Sequence, residues 1–241
     1  MNEPTGEKPS VKGSSFQLDK DPDKITSDQI KFYLNDGFMR GKVPAEEFVD
    51  RIIDTAKRND RVAVAALQVY AISLGNLTHS SMMVDGYTRS ILSQGIENEF
   101  TQSIIRAISP EHIKILRELY ITGNNDAGNA LLLSLRHAPR VADQEDMKIL
   151  CKEFEGEPPS SIFPTRQGSA IYYPKKILDV MVTTREVIQK RSDLVNGVVI
   201  KAIDELPKRI ETGSYAERPS YDRGISMDKL IKAARDLREI L

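Results

Sequence analysis

The amino-acid sequence predicts an all-α protein made of helical hairpins that pack as a bundle or a short solenoid-like array. Aromatic residues are only 6% of the chain and tryptophan is absent, so Leu, Ile, Val and Ala must build the core. Apolar residues recur at helical spacing along most of the sequence. A helix that starts at a proline, a polar link and a second apolar segment follow one another more than once.

The N-terminal part of the chain is expected to be a disordered arm. Residues 1–24 are polar, contain Pro and Gly, and include no apolar run that could serve as a signal peptide. A helical core is predicted for residues 25–206. Ser27 or Asp28 can cap its first helix, which carries Ile30 and Phe38.

The first predicted hairpin begins at Pro44, a residue favoured at helix starts. The segment AEEFVDRIIDTAKR places three apolar residues on one stripe, namely Phe48, Ile52 and Ala56. Asn59 and Asp60 can link it to RVAVAALQVYAISLG, which reads as an almost wholly buried helix ending at Gly75.

The same layout recurs from Pro110, with Asn125-Asp126 as the link, and a third copy is suggested across residues 175–206. Asp60, Asp126 and Asp193 are spaced by 66 and 67 residues, which suggests an internal repeat of helical hairpins. The alternative is that helical proteins in general reuse Pro at helix starts and Asn or Asp between helices.

Other segments connect these hairpins. Residues 80–108 and 143–154 have further helical patterns. Residues 156–176 contain four prolines and an alternating Ser-Ala-Ile-Tyr-Tyr run, which predicts an irregular loop or a small β-hairpin.

The C-terminal part is predicted to be a linker, residues 207–225, followed by an amphipathic docking helix, residues 226–241. Ser226 is a natural N-cap for that helix. Tyr and Arg are enriched at interface hot spots, so the linker and the helix are expected to bind a partner protein. The predicted partner-binding residues are Tyr215, Arg218, Tyr221, Arg223, Leu230, Ile231 and Leu237. The alternative is that the tail folds back onto its own core.

Composition limits the function classes. Lys and Arg number 34 against 35 Asp and Glu, so the chain has no overall basic field for a phosphate backbone. The single cysteine, Cys151, predicts a buried structural thiol in a reducing compartment, and we expect a cytoplasmic protein. The longest apolar run, from Val62 to Leu74, is too short to span a bilayer.

No catalytic set, metal site or cofactor motif is predicted. The glycines Gly123 and Gly128 have phosphate-loop spacing, but Asn129 stands where lysine is required. His79, His112 and His137 are far apart and predict surface or internally satisfied histidines. The carboxylates of Glu47, Asp50 and Asp54 are expected to form a solvated flank of their helix.

The sequence therefore favours a non-enzymatic adaptor or scaffold subunit that binds one or more proteins in a larger assembly. The alternative is a protein that binds single-stranded RNA or DNA through the segment 166–191, which has six basic residues against two acidic ones and two tyrosines that could stack on bases. Its predicted contact residues are Arg166, Tyr172, Tyr173, Lys175, Lys176, Lys190 and Arg191.

Overall fold

The structure is a computed structural model that describes residues 18–19, 21, 24–77, 83–155, 174–211 and 225–241. It confirms the all-α prediction: the described residues form eleven α-helices and no strand. The helices are α1 (Ser27–Phe32), α2 (Ala45–Arg58), α3 (Ala63–Ser73), α4 (Gly86–Leu92), α5 (Glu99–Ala107), α6 (Pro110–Ile121), α7 (Asn125–His137), α8 (Gln144–Glu155), α9 (Pro174–Lys190), α10 (Gly197–Glu211) and α11 (Met227–Arg238).

Eight of these helices form four hairpins, which stack in two rows. The hairpins are α2–α3, α6–α7, α8–α9 and α10–α11. We call α3, α7, α9 and α11 the front row, because each of them packs closely on the next. We call α2, α6, α8 and α10 the back row, in which α2 packs on α6 and α8 packs on α10. The predicted solenoid-like array is therefore a ladder of hairpins that contact their nearest neighbours.

Side-chain contacts between neighbouring hairpins show that stacked helices run parallel. The hydroxyl groups of Tyr70 in α3 and Ser134 in α7 lie 2.8 Å apart in the buried front row. One hairpin further, the Thr183 hydroxyl of α9 donates to the Leu132 carbonyl of α7 at 3.4 Å, and an arginine after α9, Arg191, donates to the carbonyl of Ala142 at 2.7 Å. Residues near the end of one helix thus contact residues near the end of the next, so the stacked helices point in the same direction. An array in which each hairpin is a shifted copy of the one before has this arrangement.

The predicted third repeat has a different context. α9 and α10 follow each other directly, but they are not among the closely packed helix pairs of the described chain. α9 packs on α7, α8 and α11, whereas α10 packs on α8 and α11. The spacing from Asp126 to Asp193 therefore does not mark a third hairpin of the same kind.

Helix ends follow from local sequence. The side chains of Asn98, Asn124 and Ser226 accept backbone N–H groups at the starts of α5, α7 and α11. Gly75 ends α3 with a φ of 88°, a left-handed conformation that favours glycine. α1 continues directly into a single π-helical stretch, Tyr33–Phe38, whose Phe38 ring stacks on Phe48 of α2.

The end of the predicted N-terminal arm is packed. Leu18 is buried in the core, and the Arg51 guanidinium of α2 donates to the carbonyls of Leu18 and Asp19 at 3.2 Å each. Ile25 is also buried. Residues 1–17 lie outside the described residues. Of the predicted loop or β-hairpin over 156–176, residues 156–173 also lie outside, and residues 174–176 form the first turn of α9.

Candidate functional site

The structure describes only some of the predicted contact residues. Tyr215, Arg218, Tyr221 and Arg223 lie outside the described residues, as do three residues of the basic segment, Arg166, Tyr172 and Tyr173. Lys175 falls in the first turn of α9, but its side chain is not among those described. The interface predictions on these residues stay predictions.

The C-terminal helix packs on the chain's own core. Leu230, Ala234 and Leu237 of α11 are at most 1% exposed, and the helix lies against α9 and α10. The Arg238 guanidinium adds an ion pair to Asp204 of α10 at 2.8 Å. Leu230 and Leu237 were predicted to contact a partner, whereas here they complete the last hairpin, as in the alternative that the tail folds back. Ile231 remains half-buried at the edge.

Two residues of the predicted basic segment make contacts within the chain. Arg191 binds the Asp193 carboxylate at 2.8 Å and donates to the carbonyls of Arg140 and Ala142. Lys176 binds the Glu153 carboxylate at 2.9 Å. By contrast, Lys190 and Arg185 are exposed and form no ion pair with another described residue. Only part of the segment therefore presents an uncompensated charge.

A first polar cluster joins α2 to α6. The His112 Nε2 lies 2.7 Å from an Asp50 carboxylate oxygen, and its Nδ1 accepts the Ser109 backbone N–H at 3.1 Å. This pattern places the ring proton on Nε2. The Ser109 hydroxyl also lies 3.0 Å from Nδ1 while it caps α6, so Ser109 and His112 form a capping box.

This Asp-His-Ser set is suited to structure rather than to hydrolysis. Nδ1 has one lone pair, and the Ser109 backbone N–H already binds it, so the ring is not free to deprotonate the Ser109 hydroxyl. His112 is thus the internally satisfied histidine that the sequence predicted. Asp50 is 66% exposed, as expected of a solvated flank, and its carboxylate also links two stacked hairpins.

A second polar cluster bridges α6 and α8, which do not pack closely on each other. The Arg117 guanidinium donates to Asp143 at 2.6 Å and to Asp146 at 2.9 Å. The Asp143 carboxylate accepts the Glu145 and Asp146 N–H groups at the start of α8, and Asp146 accepts the Asp143 N–H in return. The helix start and the inter-hairpin bridge therefore share the same two carboxylates.

Burial separates the pKa values of these two carboxyl groups. The Asp146 side chain is fully buried, and burial raises its pKa to about 6, although the Asp143 N–H and Arg117 oppose that shift. Asp143 is half exposed; partial burial acts to raise its pKa, but the Arg117 hydrogen bond and the helix N–H groups outweigh it and lower the pKa.

A third polar cluster lies farther along the same two helices. The Tyr120 hydroxyl of α6 donates to one oxygen of Glu153 in α8, and the Lys176 ammonium of α9 lies 2.9 Å from the other oxygen. Glu153 is 1% exposed, so the Lys176 ammonium balances a charge that is out of solvent, and the Tyr120 hydroxyl stabilises it by a hydrogen bond. The Tyr120 ring also packs against Gly128 of α7, where a Cβ would lie 2.6 Å from two ring carbons.

The front row carries a shallow depression between α3 and α7. Leu67, Ala71 and Ile72 of α3 form its floor. Four polar residues form its rim: Gln68, Asn76, Asp126 and Asn129. Because Gly75 turns the chain back at the end of α3, the Asn76 N–H donates to the Ala71 carbonyl and Asn76 lies over the helix end.

Sequence reasoning missed the three clusters because their members are brought together by stacking. Arg117 and Asp146, for instance, belong to different hairpins, and no local motif connects them. The depression was missed for the same reason, since α3 and α7 contribute unrelated stretches. The available signal was the polar position Gln68 within an otherwise apolar helix.

Comparison of the chain with protein families, with curated proteins and with solved structures gives no match. In the described ranges, no group of His, Cys, Asp and Glu side chains is arranged to hold a metal ion. Each helix of the same ranges is too short or too polar to traverse a lipid bilayer. Any function must therefore be argued from the geometry of the surface.

Proposed function

We propose that this chain is a non-enzymatic adaptor or scaffold subunit of a cytoplasmic assembly and binds other proteins through its helical surfaces. One observation carries the proposal: the stacked hairpins place exposed side chains on neighbouring helices of the front row, such as Arg136 of α7, Arg185 of α9 and Lys232 of α11, whereas α3 is almost wholly buried. Hairpin arrays offer extended surfaces of this type, on which neighbouring helices contribute side chains at regular intervals.

The polar clusters support a structural use of the charged residues. Arg117, Tyr120 and His112 of α6 each bind a carboxylate of another hairpin. Such contacts fix how one hairpin sits on the next, and so they hold the exposed row in one shape. A rigid surface binds partners with a smaller loss of conformational entropy than a mobile one.

The segment 213–224 is proposed as an additional contact through Tyr215, Arg218, Tyr221 and Arg223. Packing of α11 on the chain's own core would hold one end of that segment beside α9 and α10. In this form of the proposal, α11 serves as an anchor, and its exposed residues, rather than Leu230 and Leu237, are open to a partner.

The test is affinity purification of the tagged full-length chain from its native cells, with nuclease treatment and a high-salt wash. The front-row variant Arg136→Glu/Arg185→Glu reverses two exposed charges on α7 and α9. The matched control Lys114→Glu/Lys152→Glu makes the same change on α6 and α8 of the back row. We expect stable protein partners with the wild type and the control, and their loss with the front-row variant.

Two results would contradict the adaptor proposal. One is that no protein co-purifies at a stoichiometric level under any wash condition. The other is that the partners disappear on nuclease treatment, with a high absorbance at 260 nm in the untreated sample. Partners that resist both variants would leave the adaptor class intact and remove the front row as its surface.

Binding of single-stranded nucleic acid is the second candidate. The observation that favours it is the exposure of Arg136, Arg185 and Lys190 without ion pairs to other described residues, toward the C-terminal ends of α7 and α9. Asp179 and Glu186 are also partly exposed on α9 and reduce this field. Anisotropy of a labelled oligo(U) tests it: affinity should fall steeply with salt, and the front-row variant should abolish binding.

A further inference from the structure

The sequence contains one Asn-Gly dipeptide, Asn196-Gly197, and the structure places it on the surface. Both residues are exposed, in the link between a short 3₁₀ turn, Ser192–Leu194, and α10. Gly197 is the first residue of α10, and a Cβ built on it would meet no atom within 4 Å. The backbone nitrogen of Gly197 therefore has neither its own side chain nor a neighbour to hinder a reaction.

The Asn196 side chain folds back over the Gly197 peptide group. Its Oδ1 accepts the N–H of Val198 at 2.9 Å and the N–H of Val199 at 3.2 Å, so the side-chain amide is held beside the peptide nitrogen that lies before them. Two such donors also stabilise negative charge that develops on Oδ1. The Gly197 N–H has no acceptor among the described residues, as is usual in the first turn of a helix.

This arrangement favours an intramolecular substitution at the Asn196 amide. The Gly197 nitrogen loses its proton to a base in solution and bonds to the side-chain carbonyl carbon of Asn196. The bond from that carbon to Nδ2 then breaks, and ammonia leaves with a proton from water. The product is a five-membered succinimide. Water opens this ring at either carbonyl group, which gives aspartate or isoaspartate, so the net change is one water consumed and one ammonia released.

We propose that Asn196 is a site of spontaneous covalent modification, at which deamidation changes the joint between the third and fourth hairpins. The Asn196 Nδ2 donates to the Gln144 Oε1 at the start of α8 at 2.9 Å, and the Gln144 Nε2 donates to the Leu194 carbonyl at 3.3 Å. A carboxylate has no donor for the Gln144 oxygen. Turning the Gln144 amide to restore that bond would break its bond to Leu194.

The two products affect α10 differently. Aspartate still accepts the first N–H groups of the helix, so it loses the link to Gln144 but keeps the cap. Isoaspartate lengthens the backbone by one carbon and moves the carboxylate, so the link and the cap are both lost. This modification is independent of the adaptor function proposed above.

The experiment is incubation of the purified full-length chain at physiological temperature and mildly alkaline pH, followed by tryptic digestion and mass spectrometry. Cleavage after Arg191 and Lys201 isolates residues 192–201. We expect this peptide to gain the mass difference between OH and NH2 and to separate into two products, one of which an isoaspartyl methyltransferase labels. Asn98 and Asn129, which precede Glu and Ala, are internal controls that should stay unmodified.

Two substitutions test the chemistry. Gly197→Ala adds a Cβ in open space and should slow the reaction about tenfold or more, because the methyl group hinders the attacking nitrogen. Val198→Pro removes one N–H donor from Oδ1 and should slow it about two- to tenfold, whereas the matched control Val198→Ala keeps the donor and the rate. Val198 is 62% exposed and proline is tolerated in a first helical turn. Circular dichroism checks that α10 is retained.

Hydrogen exchange tests the structural effect. In the isoaspartyl product, separated by ion exchange, the N–H groups of Val198 and Val199 should exchange faster than in fresh protein, whereas Asn196→Asp should leave them protected. An unmodified peptide 192–201, after an incubation that modifies the same chain in urea, overturns the site. An unchanged rate in Gly197→Ala also overturns it, and isoaspartyl protein that exchanges as fresh protein does overturns the effect on the joint.

Discussion

The second and third hairpins meet through two different kinds of contact. In the front row, α7 and α9 pack closely, and both helices carry buried apolar side chains such as Leu131, Leu135, Val180 and Val187. In the back row, α6 and α8 stand farther apart, and Arg117, Tyr120 and Lys176 reach the buried carboxylates of α8. Apolar packing gives most of the stability, whereas the polar bridges determine how the two hairpins are aligned.

Because the two rows use different contacts, their contributions to the stability of the protein should depend differently on pH. The apolar contacts of the front row contain no group that titrates, so their own contribution to stability should not change with pH. The front row has one separate source of pH dependence, because burial lowers the pKa of His137 at the end of α7. The back row holds carboxylates out of water, where their charge depends on a few specific partners. Four changes to the chain test the two kinds of contact, and two of them, Arg117→Met and Asp146→Asn, test the pH response. They are taken from the largest expected effect to the smallest.

The largest effect is expected from removing residues 225–241, the last member of the front row. The deletion uncovers apolar faces of α9 and α10 and removes the buried side chains of Leu230 and Leu237. Burial of large apolar side chains is worth about 1.5–3 kcal/mol each, so the loss of these two costs about 3–6 kcal/mol, and the uncovered faces of α9 and α10 add to it. Urea denaturation followed by circular dichroism measures it.

The control for this deletion is a chain that ends after Arg238, which keeps Leu237 and the ion pair to Asp204. It should unfold as the wild type does. A chain lacking residues 225–241 that retains a wild-type unfolding midpoint would show that α11 is dispensable for the core, as expected of a free docking arm.

Replacement of Arg117 by Met should destabilise the back row strongly near neutral pH. Asp146 is fully buried, and without the guanidinium its charge has no cation at 2.9 Å. Removing one partner of a buried ion pair typically costs about 3–5 kcal/mol. The cost should be smaller at pH 5, because Asp146 can then take up a proton.

Two control variants are needed to interpret the effect of Arg117→Met. Lys148→Met removes an exposed ion pair with Glu145 on the same helix and should change the unfolding free energy little. Leu135→Ala should cost about 2–5 kcal/mol equally at pH 5 and pH 7, because it removes apolar packing only. A pH-independent cost for Arg117→Met would argue against the proposed bridge.

Gly128→Ala tests how closely α7 approaches α6. Alanine normally stabilises a helix interior by about 1 kcal/mol relative to glycine. Here the new Cβ would lie 2.6 Å from the Tyr120 ring, which the Glu153 hydrogen bond holds in place. Overpacking of this kind costs about 1–3 kcal/mol, so we expect a net loss of stability.

In a Tyr120→Ala background, the same Gly128→Ala substitution should stabilise the protein, because the ring is gone. Thermal unfolding of the four proteins in the double-mutant cycle measures both signs. A stabilising effect in the wild-type background would mean that the ring can move aside, and that the third cluster is not rigid.

Asp146→Asn should give the smallest change in the free energy of unfolding, and the effect to look for is on how that free energy depends on pH. Burial raises the pKa of Asp146 to about 6, above its ordinary value of 3.8. The folded protein therefore binds this proton more tightly than the unfolded chain does, and the contribution of Asp146 to stability falls as the pH rises from about 4 to 6. The upper bound of the fall is about 3 kcal/mol.

The Asn variant should not show this fall in stability. The quantity to measure is the difference in unfolding free energy between the wild type and the variant from pH 4 to pH 6. Asp143 acts in the opposite direction, because its pKa is lowered and its contribution is lost as the pH falls. Equal slopes for wild type and variant over that window would show that Asp146 is charged throughout.

Local sequence was sufficient for most helices but not for every helix end. Thr26, rather than Ser27 or Asp28, caps α1, and the predicted link Asn125-Asp126 is the first turn of α7, which Asn124 caps. The apolar stripe of Phe48, Ile52 and Ala56 and the Ser226 cap are both present in the structure. The stacking register was not predictable, since it depends on contacts such as Tyr70 with Ser134 between distant segments. The spacing from Asp126 to Asp193 gave a wrong prediction for the same reason. Asp193 lies in the link between α9 and α10, and these two helices do not form a hairpin.

The candidate surface was harder to predict than the fold. The sequence pointed to tyrosines and basic residues, whereas the front row also carries a small depression lined by amides and one carboxylate. Gln68 and Asn129 belong to different hairpins, and only the parallel stacking of α3 on α7 brings them to one depression. Lys176 and Arg191 illustrate the converse, because their charges are used within the chain.

The nearest-neighbour stacking of the hairpins also determines how the chain should behave under tension. Within the described residues, each hairpin packs mainly on the one before it and the one after it, and the helices of the first hairpin do not pack closely on those of the last. Pulling on the two ends would load the hairpins in series. Extension should then proceed in steps of one hairpin, starting from the α10–α11 end. When the tension is released, the polar bridges between α6 and α8 should restore the original alignment of the hairpins that they join.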